Sequence, residues 1–304
     1  MEAYIEKYTK DKNISSKHTI SSIRSNLRRV ERVMDIKFDK WKISDFKNDE
    51  KVLEKLIEDY QLNSVIVSIS ALKSWLITKN APEKITSEYD SIVRDLSREK
   101  SNIVNKQEKT SDEEELGEDF EWKQLTEKSR KFIKANMEDA SKEKLRNLLI
   151  LGFFSLQPPA RIGNFLNMQV RSTKKKLPLT HNYLVRNGDG MKFIFNKYKT
   201  AKHIGQVELE VEDNLLKELL NKYIEKLPGK NPVLLNMSSS NVVSSLKKIT
   251  KKFLNVGISV NTFRHSFLSD FLNSNPSIKE KERIAKIIGQ KYRAPRMETY
   301  KRIN

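Results

Sequence analysis

The chain has 304 residues, with 58 Lys or Arg against 40 Asp or Glu and a formal net charge of +18, an excess that attracts polyanions and disfavours acidic partners. It has no cysteine, which excludes disulfides, cysteine zinc sites and thiol catalysis, and its four histidines, at 18, 181, 203 and 265, are scattered, a poor basis for a zinc or two-metal enzyme. No window reaches the apolar length of a membrane span and the opening MEAYIEKYTK lacks the apolar core of a signal peptide, so an intracellular or intraviral location is expected.

Residues 1–98 read as a small helical domain. Ile20, Ile23, Leu27 and Val30 repeat at helical spacing beside Arg24, Arg28 and Arg29. Val52, Leu53, Leu56 and Ile57 carry a helix near 49–60. Val65, Val67, Ile69, Leu72, Trp75 and Leu76 carry another near 64–77, with Trp75 read as core rather than as a platform for a base. A fourth helix is predicted over 83–96, after Pro82.

Charge then changes abruptly. Residues 1–100 hold 20 basic and 17 acidic side chains, 101–120 hold 2 and 7, and 121–304 hold 36 and 16. The polar stretch 99–121, with its acidic run DEEELGED, gains too little from burial to offset its ordering entropy. It is expected to be a flexible linker, or else a solvated helix.

The second domain is predicted over 122–304. Helices are expected at 123–136 and 143–156, then a short helical RIGNFLN after Pro158 and Pro159. Strands YLVR (183–186) and MKFIFNKY (191–198) flank the turn signal Asn187-Gly188-Asp189-Gly190. A third strand at 206–211 alternates Val207, Leu209 and Val211 inward with Glu208 and Glu210 outward. Helices return at 213–226, 239–254, 262–273 and 279–288. The fold class expected is mainly α with a small antiparallel sheet.

Two arginines stand out for chemistry. Arg161 follows two prolines between Leu156 and Ile162, and Arg264 lies in NTFRHSFLSDFL among Phe263, Phe267, Leu268 and Phe271. A buried guanidinium needs an anion or an acceptor. A phosphate suits its fork, and an ordinary structural salt bridge would also satisfy it. Lys199, in NKYKTAKHIG, sits on a loop between predicted strands where an ammonium could protonate a leaving oxygen, with Lys202 as its rival and a solvated hairpin lysine as the plain alternative.

Taken in order, Arg161, Lys199, Arg264 and Tyr300 resemble the catalytic set of the tyrosine recombinase/integrase family. PPARIGNFLNMQV is similar to the family's first arginine segment, KYKTAKHIG to its sheet-loop lysine, VNTFRHSFLSDFL to its His-x-x-Arg motif, and IAKIIGQKYRAPRMETY to the turn preceding its nucleophilic tyrosine. The resemblance covers roughly residues 19–304. The first domain is then similar to the family's core-binding domain, and the second to its α+β catalytic domain. Two positions depart from the pattern. Asn261 stands for the first histidine, and Gln290, with Lys291 beside it, for the second. The interval to Tyr300 is ten residues from Gln290 and nine from Lys291, where the family usually shows nine. Asn and Gln donate hydrogen bonds but do not shuttle protons near neutral pH.

The resemblance implies site-specific cleavage and rejoining of double-stranded DNA through a 3′-phosphotyrosyl intermediate at Tyr300, without ATP, metal or other cofactor. Arg161 and Arg264 would hold the phosphate, Lys199 would be the general acid, and Asn261 and Gln290 would add hydrogen bonds. It also implies a homo-oligomer, a dimer on one site and a tetramer in synapsis, and a location at DNA, in a host nucleus or a viral particle or factory if the source is viral. Basic clusters at Arg24, Arg28 and Arg29, at Lys174, Lys175 and Lys176, at Lys202, and at Lys247, Lys248, Lys251 and Lys252 are candidates for backbone phosphate contacts. Each cluster alone reads equally as a solvated face. Two other functions fit the same residues: a type IB topoisomerase-like enzyme, and a catalytically weakened DNA-binding protein derived from a recombinase.

Overall fold

The computed structural model describes residues 1–14, 16–106, 111–174, 177–188, 190–292 and 297. Its contacts divide the chain into two compact units, Met1–Lys106 and Gln107–Asn304.

The first unit is helical: α1 (Glu2–Asp11), α2 (Lys17–Met34), α3 (Asp49–Asp59), α4 (Leu62–Thr78) and α5 (Glu83–Asn105). Ser16 caps α2, its side chain accepting from the Thr19 amide, and Asn48 caps α3 from the Lys51 amide, so each start satisfies one orphan N–H. Leu27, Val30, Leu56, Ile69 and Leu72 are buried with Trp75, as the helical spacing predicts. Trp75 is core, its ring meeting Trp41 edge-on with centroids 5.2 Å apart. The buried Tyr89 donates its hydroxyl to the Phe46 carbonyl at 3.2 Å, and burial raises its pKa above the ordinary phenol value. Helix α1 has no counterpart in the sequence reading, because Ile5 is its one buried large aliphatic side chain and gives no repeat.

The stretch 99–121 differs from its expectation as a linker. Helix α5 runs on through Asn105, and α6 (Ser111–Leu116) leads into a 3-10 turn at Gly117–Phe120. Leu116 and Phe120 are buried in the core of the second unit, and Glu113 is only 1 % exposed. The physical reason is a pairing that composition does not reveal. The Glu113 carboxylate accepts from His265 Nδ1 at 2.5 Å, so an acidic residue is buried with a partner, and Leu116 and Phe120, on either side of the positive-φ Gly117, both pack into the core.

In the second unit, α7 (Trp122–Met137) packs on α8 (Lys142–Ser155), which also meets α11 (Asn214–Glu225), α12 (Ser239–Leu254) and α13 (Val260–Asn273). Helix α8 is the central element. Every residue from Leu148 to Ser155 is buried, the pattern of a helix surrounded on all sides. A single turn, α9 (Ile162–Phe165), precedes the sheet, and α14 (Ile278–Ile287) follows α13.

Among the described residues the sheet has the order β1-β2-β3-β4, from β1 (Gln169–Arg171), β2 (Tyr183–Asn187), β3 (Gly190–Phe195) and β4 (Val207–Glu210). The three strands expected are antiparallel, with Tyr183 opposite Ile194 and Phe193 opposite Leu209. Gly188, at φ +58°, makes the hairpin turn, and Val207, Leu209 and Val211 all face the core. The sheet is nevertheless mixed, because β1 adds a parallel strand to β2. Three residues are too few to show alternation, so β1 is invisible to periodicity. No helix among the described residues is long and apolar enough to cross a membrane.

Candidate functional site

The site is built at the end of α14. Gly289, at φ +72°, closes that helix: its amide bonds to the Lys286 carbonyl at 3.0 Å, and the Gln290 amide to the Ala285 carbonyl at 2.8 Å. This is the paired pattern of a left-handed helix stop. The two carbonyls that end the helix are then taken by distant residues. Arg264, on α13 and only 4 % exposed, donates from Nη2 to Ile288 at 3.1 Å. The Thr200 hydroxyl donates to Gly289 at 2.8 Å. A guanidinium at a helix C-terminus also balances its partial negative charge.

Arg161 approaches the same glycine. A Cβ built on Gly289 would lie 3.2 Å from Arg161 Nε and 3.5 Å from Thr200 Oγ1, so only glycine fits without displacement. Arg161 sits at the N-cap of α9 with extended backbone. Its Nε is buried and has no hydrogen-bond partner among the described residues. A donor left unmade in this way favours an acceptor brought by a ligand.

The loop between β3 and β4 completes the cluster. It carries Lys199, Thr200, the single turn α10 (Ala201–Ile204) and Gly205. The Tyr198 hydroxyl donates to the Gly205 carbonyl at 2.6 Å, tying the two ends of the loop, and burial raises that phenol's pKa. Buried Asn182, just before β2, joins this loop to the Arg161 segment. Its Nδ2 donates to the carbonyls of Asn164 and Lys197, each at 2.9 Å. Its Oδ1 accepts from the amides of Asn196 and Lys197 at 2.8 and 2.7 Å.

Around these groups opens a cleft of about 300 Å³ lined by Arg161, Thr200, His203, Gly289, Gln290 and Lys291. A larger cleft of about 510 Å³ lies elsewhere in the unit, where Lys248 and Lys252 face Phe132 and Asn136. The smaller one is the better site candidate. It gathers a buried arginine donor with several polar groups from three separate chain segments, the feature that marks a binding site more than volume does.

Of the residues singled out in the sequence, Arg161, Gln290 and Lys291 line this cleft, Arg264 lies outside its lining and bonds the Ile288 carbonyl beside Gly289, and exposed Lys199 adjoins Thr200 on the same loop. Lys202 is exposed on the same loop, and Asn261 is exposed at the start of α13 and does not line the cleft. Tyr300, Lys175 and Lys176 lie outside the described residues. His265 turns to Glu113, consistent with a structural imidazole. Sequence reasoning missed Thr200, His203 and Asn182. Thr200 was signalled only by its place beside Lys199, and Asn182 by nothing local.

The basic clusters divide. Arg24 makes two bonds to the Glu2 carboxylate, at 2.7 and 2.6 Å. Arg29 bonds to Asn26 Oδ1 at 2.7 Å and lies over the Tyr60 ring, and Lys174 pairs with Glu208. Arg28 and the α12 lysines 247, 248, 251 and 252 are exposed. Arg24 and Lys174 therefore differ from the open cations expected, because acidic partners distant in sequence fold onto them.

The chain has the tyrosine recombinase fold, mainly α-helical with a small mixed sheet. It is similar to the XerH site-specific recombinase bound to palindromic difH substrate in a post-cleavage complex, at 13 % identity and a TM-score of 0.55, covering 99 % of this chain and 80 % of that one. It is also similar to the Tn1549 transposon integrase in complex with transposon right end DNA, at 15 % identity and a TM-score of 0.52, covering 99 % and 94 %. No protein-family model and no curated protein matches the sequence.

Proposed function

We propose that the protein is a site-specific DNA recombinase or integrase that cuts and rejoins strands through Tyr300. The observation that carries this reading is the buried Nε of Arg161, without a hydrogen-bond partner among the described residues, in a cleft shared with Gln290 beside the helix end that Arg264 bonds at Ile288. Two members of the ordered set, Arg161 and Arg264, approach the same helix end at Ile288 and Gly289, and this supports the reading on a fold like that of the XerH recombinase and the Tn1549 integrase.

In the cleavage step the Tyr300 phenol gives its proton to water, its oxygen bonds to phosphorus, the bond from phosphorus to the 5′ oxygen breaks, and Lys199 delivers a proton to that leaving oxygen. A 3′-phosphotyrosyl ester and a 5′-hydroxyl result. Attack by a second strand's 5′-hydroxyl reverses the step and returns the phenol. Arg161 and Arg264 balance the charge that grows on the non-bridging oxygens. The net charge of +18 and the exposed lysines of α12 support duplex DNA as the partner, with the oligomer set by pairing of sites. The first unit then serves as the core-binding domain and the second as the catalytic domain, acting at DNA within a cell.

The test uses a pool of nicked duplexes randomised across the centre, from which covalent protein–DNA adducts are recovered. The protein is expected to form an adduct that Tyr300→Phe abolishes and Arg161→Ala slows by on the order of 10²–10³-fold. An adduct that persists in Tyr300→Phe refutes the nucleophile. Tight binding with no adduct marks a DNA-binding protein instead, and relaxation of supercoiled DNA without exchanged products marks a topoisomerase.

A further inference from the structure

The four lysines of α12 do not share one surrounding. Lys248 and Lys252, one turn apart, line the larger cleft of about 510 Å³, together with residues of α7 and α8. Lys247 and Lys251 lie about 100° round the helix axis and do not line it.

The cleft has an apolar floor and a cationic rim. Leu148 and Ile249 belong to the buried core, and Phe132 stacks on Phe253 with ring centroids 4.9 Å apart, which fixes its ring before any partner arrives. Lys144, Lys248 and Lys252 are exposed at the rim, and none of the three ammonium groups has an ion pair among the described residues. Glu143, the acid in the lining, is already paired with Arg146 at 3.3 Å. Ser141 caps the start of α8, accepting from the Lys144 amide at 3.3 Å, and a helix start adds partial positive charge.

One polar atom of the lining lacks its partner. Asn147 Oδ1 is buried without a hydrogen bond, and the neighbouring amide of Asn136 does not serve it, because its Nδ2 donates to the Phe132 carbonyl at 2.9 Å. A buried acceptor left unmet is costly, so the fitting ligand brings a donor. The sugar-phosphate backbone of duplex DNA offers oxygen acceptors and no donor, and it has no apolar group for the floor. A peptide offers a backbone N–H, carboxylates and an apolar side chain together. The open, charged rim suits a segment lying across it better than an enclosed small molecule. A basic segment, such as that of a second copy containing Arg293, Arg296, Lys301 and Arg302, meets like charge there.

We propose that this cleft docks an acidic peptide segment of a partner protein. An apolar side chain of the segment enters between Phe132, Leu148 and Ile249, its carboxylates pair with Lys144, Lys248 and Lys252, and a backbone N–H donates to Asn147 Oδ1. An apolar anchor in a preformed pocket supplies most of such an affinity, and the rim charges supply selection against other partners. The inference concerns a second surface and does not depend on strand cleavage.

The experiment selects from a displayed library of random peptides of about twelve residues on the full chain, then measures the enriched peptides by fluorescence anisotropy. Expected are sequences with several Asp or Glu around one Leu, Phe or Trp. Lys248→Ala/Lys252→Ala should weaken their binding on the order of tenfold. Lys247→Ala/Lys251→Ala, which has the same net charge, should bind them as the parent does. The salt slope of duplex DNA binding should change by less than about 1 in Lys248→Ala/Lys252→Ala. Failure to enrich any peptide overturns the proposal, as do enriched sequences that are not acidic or that bind both double variants alike. A slope lowered by about 2 in Lys248→Ala/Lys252→Ala would give this face to DNA, and displacement of the peptides by the four deoxynucleoside monophosphates would give it to a nucleotide. Either result overturns the proposal while leaving the cleavage reading in place.

Discussion

The hydroxyl of Thr200 donates to the carbonyl of Gly289 at 2.8 Å across 89 positions of sequence, and this bond joins the loop bearing Lys199 and His203 to the helix end held by Arg264. Thr200→Val keeps the shape and removes the donor. A net loss of about 1 kcal/mol is expected, with slower adduct formation than the stability loss explains. Urea unfolding and the nicked-duplex assay measure the two effects, and Thr200→Ser should restore both.

Gly289→Ala tests the left-handed helix stop. An L-residue at φ +72° costs about 1–2 kcal/mol, and the new methyl would press on Arg161 Nε at 3.2 Å. Lower stability together with a displaced Arg161 should depress cleavage further than Thr200→Val does. Equal urea midpoints for parent and variant would remove the argument.

Asn182→Ala should be the most destabilising single change near the site. Four hydrogen bonds between the Arg161 segment, the loop and β2 disappear, and at about 1 kcal/mol each the expected loss is roughly 2–4 kcal/mol. Thermal unfolding checks it. Asn182→Asp, which sets a buried carboxylate oxygen against the Asn164 and Lys197 carbonyls, should be at least as destabilising as alanine at neutral pH.

The salt dependence of DNA binding separates open cations from paired ones. Lys247 and Lys251 are exposed one turn apart on α12, and replacing both by alanine should lower the slope of log K against log salt by about 2. Lys174→Ala should lower it by less than 1, because that ammonium already pairs with Glu208. A filter-binding titration over several salt concentrations reads both.

Acid stability should depend on Asp90. The bonded ammonium of Lys73 holds this carboxyl below its ordinary value of 3.8, and Arg94 adds to the effect. A depressed folded-state value means that the stabilisation is present above the unfolded value and is lost as the pH falls through the folded one. Asp90→Asn should therefore unfold at lower urea than the parent at pH 7, with the difference closing progressively below pH 3.8. A gap that persists unchanged at pH 2 would contradict the pairing.

Much of the fold is legible along the chain because its cause is local. Apolar spacing marks α2, α3, α4, α8 and α12, the Asn-Gly turn marks the hairpin, and alternation marks β4. The order of Arg161, Lys199, Arg264 and Tyr300 is likewise a property of the string. Other features have no local cause. Helix α1 has too little apolar repeat and β1 is too short. The acidic stretch reads as solvated because nothing near Glu113 announces His265.

The amino-acid sequence by itself determined the helical first domain, the antiparallel strands, the absence of thiol chemistry and the ordered residues that a phosphate would require. Tertiary structure alone decided that Arg161 and Thr200 meet at Gly289, that His203 lines their cleft while Asn261 does not, and that Arg24 and Lys174 carry acidic partners. Spacing controls which face of one element is apolar. Which side chains from distant elements share a cleft depends on long-range packing and hydrogen bonding, such as the bonds from Arg264 to Ile288 and from Thr200 to Gly289, and no local pattern encodes those partners.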